Sequence, residues 1–167
     1  MKTADSMRTM HPTKNDLPEE VRGAVVKLLN QRLADAIDLM MQAKQAHWNV
    51  KGPSFIALHE LFDKVYEAAA EYVDLLAERA VQLGGNAHGT VRLAATNTSL
   101  AEYPADLTDA ATHVDLLARA MAKFGGSVRA GIDRAQGLAD ADTADILTEI
   151  SRGIDKHLWF VEAHQQK

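Results

Sequence analysis

Leu33, Ala36, Met40 and Ala43 recur at the spacing of one helical face and carry His47 inward at the end of the stripe. Patterns of this kind delimit four long helices, roughly Glu19 to Asn49, Phe55 to Leu83, Asp106 to Gln136 and Asp142 to Ala163. The punctuation agrees: Gly52-Pro53 follows the first, Gly84-Gly85 the second, Pro104 precedes the third and Gly137 closes it. The short turn Val50 to Ser54 folds the first two helices into an antiparallel hairpin. Gly84 to Ala105 is the longest connection, and Ala94, Ala95 and Leu100 within it predict a short extra helix. A link of ~20 residues can run the length of a bundle and make the joined helices parallel. The expected fold is therefore all-α, a four-helix bundle over residues 19–163 with one long crossover. Residues 1–18 form a flexible N-terminal tail and 164–167 a short C-terminal one.

Composition narrows this. A chain of 167 residues fits one domain with a substantial core, and 47% hydrophobic residues with only 5% aromatic favour helix packing over sheet. The absence of cysteine excludes disulfides and thiolate metal sites, in keeping with a reducing compartment. No apolar run reaches membrane-spanning length, and Met1 to Asp16 is too polar for a secretory signal, so the expected location is cytoplasmic.

The second helix carries candidate metal ligands that one chain cannot bring together. At ~100° per residue, with His59 at zero, Asp63 falls near ~40°, Asp74 near ~60° and Glu78 near ~100°, all in one arc. Yet Asp63 and Asp74 lie roughly 16 Å apart along the axis. The spacing is palindromic: His59 and Glu78 share with Asp63 and Asp74 a midpoint between Ala68 and Ala69. A second, antiparallel copy of the helix crossing there sets His59 and Asp63 of one chain against Asp74 and Glu78 of the other, as a two-fold interface requires. The dimer would hold two identical sites roughly 22 Å apart. Ala70 permits close approach at the crossing, whereas Glu67 must turn aside. His47 read alone is a hydrogen-bonded core histidine; the hairpin turn places it near His59 as a third ligand. Imidazole and carboxylate without thiolate suit iron, manganese or zinc. No Glu-x-x-His occurs anywhere in the chain, which argues against a di-iron centre inside one bundle.

The segments KQAHWN (44–49), GPSFIALHELFD (52–63) and DLLAERAVQLGG (74–85) resemble Dps, the DNA-binding protein from starved cells, a family of ferritin-like miniature cages. Asp142 to Thr148 and Asp155 to Ala163 agree, and the resemblance runs from about Val21 to Ala163. It implies a hollow dodecamer that uses hydrogen peroxide to oxidise ferrous ion at two-fold interfaces and stores ferric mineral, protecting cell and DNA from oxidative damage. Matched residue by residue, the implied ligands are His47, His59 and Asp63 of one subunit with Asp74 and Glu78 of its neighbour. The implied cargo is iron (Fe2+/Fe3+) at a two-ion centre, with zinc or manganese as substitutes. Trp48 matches a family tryptophan near the iron, where it intercepts radicals; the alternative is an aromatic packed at the dimer contact. Arg79 pairs with a carboxylate near the site or makes an outward salt bridge. Asp140, Asp142 and Asp145 cap the fourth helix and, by resemblance, line an acidic three-fold pore for iron entry. His88, His113 and His157 lack ligand partners and read as surface or core residues.

Formal charge of −5 disfavours nucleic acid unless cations are concentrated. The candidates are Lys2, Arg8 and Lys14 in the tail, where many copies would bind DNA through avidity and place the particle at the nucleoid. Two readings compete with the iron-oxidising cage: a DNA-coating particle with an incidental metal site, and a structural helical oligomer whose acids form salt bridges around zinc or nothing.

Overall fold

The computed structural model describes residues 10–166. Five helices and no strand occur among them: α1 (Glu19–Asn49), α2 (Phe55–Gln82), α3 (Val91–Asn97), α4 (Ala110–Gly137) and α5 (Ala141–Glu162). The long helices match the apolar periodicity, with one displaced start. Helix α4 begins after Asp109 and not at Asp106, because the Asp109 carboxylate accepts the Thr112 amide at 2.8 Å and its hydroxyl at 2.6 Å. That cap satisfies backbone donors which an earlier start would leave bare. These bonds also hold the Asp109 carboxyl below the usual carboxylate range.

Helices α1 and α2 form one antiparallel hairpin, α4 and α5 the other, and α1 packs on α4 while α2 packs on α5. The Lys51 amide donates to the Thr108 carbonyl at 3.0 Å, so the α1–α2 turn touches the start of α4. Helices α2 and α4 therefore begin at the same end and run parallel, and the crossover spans the bundle. Helix α3 lies on it, capped by Thr90 and packed against α1. His113, fully buried on α4, anchors the returning chain through the Tyr103 hydroxyl at 2.8 Å and the Leu107 carbonyl at 3.0 Å. Its role is in the core, as the sequence suggests.

The core runs the length of the bundle around Leu29, Leu33, Phe62, Leu76, Phe124 and Ile150. Helices α2 and α5 approach closely at Gly153, where a Cβ would lie 2.2 Å from the Tyr72 hydroxyl. Burial raises the Tyr72 pKa to about 12, with Glu71 and Glu149 adding to the effect.

Residues 10–18 lie against the bundle. Met10 and Leu17 pack on the core, and the His11 amide donates to the Gly84 carbonyl at 2.7 Å. The buried Arg22 guanidinium donates to the Leu17 carbonyl at 3.0 Å and the Leu83 carbonyl at 2.9 Å. Gly84 has φ +83, and a Cβ there would meet the His11 carbonyl oxygen at 2.6 Å, so the strap needs glycine for both conformation and space.

Candidate metal centre

The last turn of α1 and the first two turns of α2 bring three expected ligands together. Helix α1 stops at Asn49 because Val50 turns extended, and Gly52, with φ +120, reverses the chain ahead of Pro53. His47 and His59 then face each other across the hairpin, rings stacked at 3.7 Å. Each holds the other in place: His47 Nδ1 lies 2.7 Å from the His59 carbonyl oxygen, and His59 Nδ1 lies 2.8 Å from the His47 carbonyl oxygen. A carbonyl only accepts, so each Nδ1 is the protonated donor. The consequence is chemical. In the neutral ring Nε2 keeps its lone pair, and both imidazoles are fixed in the tautomer and orientation that metal ligation requires.

Asp63 follows His59 by one helical turn, its Oδ1 lying 4.0 Å from His47 Nδ1. Its carboxylate is bonded to Lys44, whose ammonium also lies 4.4 Å from the centre of the Tyr66 ring. The bond from Lys44 holds the Asp63 carboxyl below its usual range, with smaller help from His47 and His59. A cation therefore sits on the carboxylate of the half-site, donated by the protein itself. Lys44 precedes His47 by three residues and so shares its helical face, a signal in the sequence that passes unnoticed when only ligand types are sought.

Asp74 and Glu78 lie toward the other end of α2, both exposed and neither in an ion pair among the described residues. No group of three or more metal-ligand side chains converges among the described residues of one chain. Glu67 and Ala70 lie between the two halves, the first exposed and the second partly buried. Trp48 is 59% exposed, beside His47 but turned to solvent, in company with the exposed Phe55 and Ile56. A shallow hollow of 400 Å³ lined by Ala77, Glu78, Val81, Gln82 and Ala87 adjoins the far half.

Arg79 pairs with carboxylates at the start of α5, Asp140 and, at 3.8 Å, the exposed Asp142. It is buried, donating from Nε to the Thr143 hydroxyl at 3.0 Å and from Nη2 to Asp140 at 2.8 Å, so it ties the end of α2 to the start of α5. Asp140 is correspondingly 2% exposed and also caps α5 through the Thr143 amide at 3.0 Å. Its expected place among pore-lining carboxylates is thereby corrected: this oxygen pair is spent on Arg79 and the cap. Asp142 and Asp145 remain exposed. Of the tail cations, Lys14 is exposed, while Lys2 and Arg8 lie outside the described residues.

Residues 26–167 match the ferritin-like domain family. A DNA protection during starvation protein of Agrobacterium fabrum is 45% identical over 94% of this chain and 97% of that relative. One from Brevibacillus brevis is 33% identical over 86% and 95%. Among solved structures, Dps from Microbacterium arborescens in its high-iron form superposes with a TM-score of 0.84 at 34% identity, covering 93% of this chain and 99% of that one. DpsA14 from Streptomyces coelicolor gives 0.90 at 31%, over 96% and 95%.

Proposed function

Because the chain belongs to the Dps family of ferritin-like proteins, we propose that it is a miniature ferritin that oxidises and stores iron, assembled as a dodecamer in the cytoplasm. The observation that carries this reading is the mutual lock of His47 and His59, which leaves both Nε2 lone pairs free, with Asp63 one helical turn beyond His59. Asp74 and Glu78 of a two-fold partner complete each centre, and a register centred between Ala68 and Ala69 supplies them. In that register the exposed Ile56 of one subunit faces the exposed Val81 of the other, so apolar surface is buried along with the ligands.

Ferrous ion is the substrate. Asp142 and Asp145 draw it toward the particle by their charge, and it displaces the Lys44 ammonium from Asp63. Anionic oxygen ligands favour the higher charge of ferric ion. One hydrogen peroxide takes one electron from each of two ferrous ions and, with two protons, leaves as two waters, so no hydroxyl radical is released. Trp48 stands next to His47 where its ring can be oxidised by a radical that escapes. The test is stopped-flow oxidation of ferrous ion by peroxide: His59→Ala or Asp63→Ala slows it while particle size is kept. Wild-type rates in both variants would refute the assignment.

A second activity, non-specific DNA binding through Lys2, Arg8 and Lys14, is favoured by the DNA-protection relatives. Deleting residues 1–9 spares the His11 strap and removes two of the three cations. Loss of salt-sensitive DNA retardation in that deletion supports the reading, and unchanged retardation excludes it.

A further inference from the structure

Away from α2 and its ligands, a cleft of 530 Å³ opens between the first half of α1, the crossover and the end of α4. We propose that this cleft binds a nucleotide, its phosphate held by Lys27 and Arg134 and its base laid against Ala24 and Leu28 beside the His88 imidazole.

Charge is the first argument. The chain has 23 acidic and 18 basic residues, yet among the described residues no carboxylate lines this cleft. Lys27 and Arg134 are both exposed, and neither forms an ion pair among the described residues. A guanidinium presents a planar fork to phosphate oxygens, and an ammonium adds a mobile point charge. Two uncompensated cations in a concave, acid-free site of an acidic protein select an anion.

The walls are already built. The Asn30 side chain accepts the His88 amide at 2.8 Å and donates to the Asn86 carbonyl at 2.9 Å, fixing the loop that carries His88. Gln31 donates to the Asn97 carbonyl at 2.7 Å and fixes the end of α3 in the same way. Each amide group uses one N–H in these bonds and retains a second. A ligand meeting this cleft loses little energy to loop ordering.

Size and polarity decide between a bare anion and a larger ester. Sites for compact organic ligands occupy roughly 300–1,000 Å³, and a single inorganic phosphate would leave most of this volume to water. Ala24 and Leu28, one helical turn apart on α1, offer a partly buried apolar wall. A flat base covers such a wall, and the His88 ring and the Arg134 guanidinium both stack on π-faces.

The experiment is equilibrium dialysis of the assembled full-length protein against AMP, ribose 5-phosphate and inorganic phosphate. AMP is expected to bind at least about tenfold tighter than either of the others, a difference of ~1.4 kcal/mol. Lys27→Glu and Arg134→Glu each weaken AMP at least about tenfold, and Arg134→Lys recovers part of the loss. Ala24→Phe, which fills the apolar wall without changing charge, removes the preference for AMP over phosphate. Equal binding of AMP and phosphate, or wild-type affinity in the charge reversals, overturns the proposal. Competition of a short oligothymidylate with AMP identifies a nucleic-acid strand as the source of the nucleotide; its absence identifies a free nucleotide, and either result supports the cleft. Particle size and peroxide-driven iron oxidation, unchanged in all four variants, show that they are folded and that the two sites are separate.

Discussion

Lys44 donates to the Asp63 carboxylate while its ammonium rests over the Tyr66 ring, so the half-site holds a positive charge before any metal arrives. In the proposed iron-oxidising centre, ferrous ion must compete with that charge. Lys44→Met keeps the apolar stem and removes the ammonium. Titration with ferrous ion under anaerobic conditions is expected to show about fivefold tighter binding, the equivalent of ~1 kcal/mol for a partly exposed pair. Unchanged affinity would mean that Lys44 swings clear at no cost.

The proposed division of the centre between two chains has an arithmetic signature. Asp63→Ala subunits and Asp74→Ala subunits should each be inactive as pure particles. Mixed by unfolding and reassembly, they form hybrid pairs in which one of the two centres regains every ligand, so about a quarter of wild-type oxidation should return. A centre contained within one chain would give no recovery.

The buried Arg79–Asp140 pair joins α2 to α5, and breaking one side leaves the other charge stranded. Arg79→Met is expected to lower stability by about 3–5 kcal/mol in chemical denaturation. The double variant Arg79→Met with Asp140→Asn should lose less than Arg79→Met alone, because no uncompensated charge then remains.

Acid should loosen the bundle through its inner histidines. Burial pushes His113 below the ordinary histidine range, against the bond to Leu107 and the nearby Asp109, and burial and Lys156 do the same for His157. Both folded-state values lie below the unfolded one. Between the two the unfolded chain binds more protons, so stability is full above about pH 6.5 and declines as pH falls below it. Thermal midpoints measured from pH 7 to pH 5 should drop, and less steeply in His113→Gln. A midpoint rising toward pH 5 would contradict the burial argument.

Periodicity made most of the bundle legible before any coordinates, and palindromic spacing is the basis of the divided centre proposed above. The stripe ending at His47 and the arc from His59 to Glu78 are properties of one helix each, and helical geometry is local. What stayed hidden depends on contacts between distant segments. Arg79 meets Asp140 across 61 residues, and no local rule tells a capping aspartate that faces solvent from one that faces a buried guanidinium. The anchoring of residues 10–18 is hidden for the same reason, since His11 finds its acceptor at Gly84, far along the chain. Lys44 differs: its place on the face of His47 was readable, but basic residues are not sought among cation ligands.

The strap from His11 to Gly84 decides where cargo would be delivered. A peptide, dye or enzyme fused ahead of Met10 would emerge beside the turn that closes α2, at the same end of the bundle as the start of α1. Designers who decorate such particles should measure linker length from Gly84, which lies six residues past Glu78.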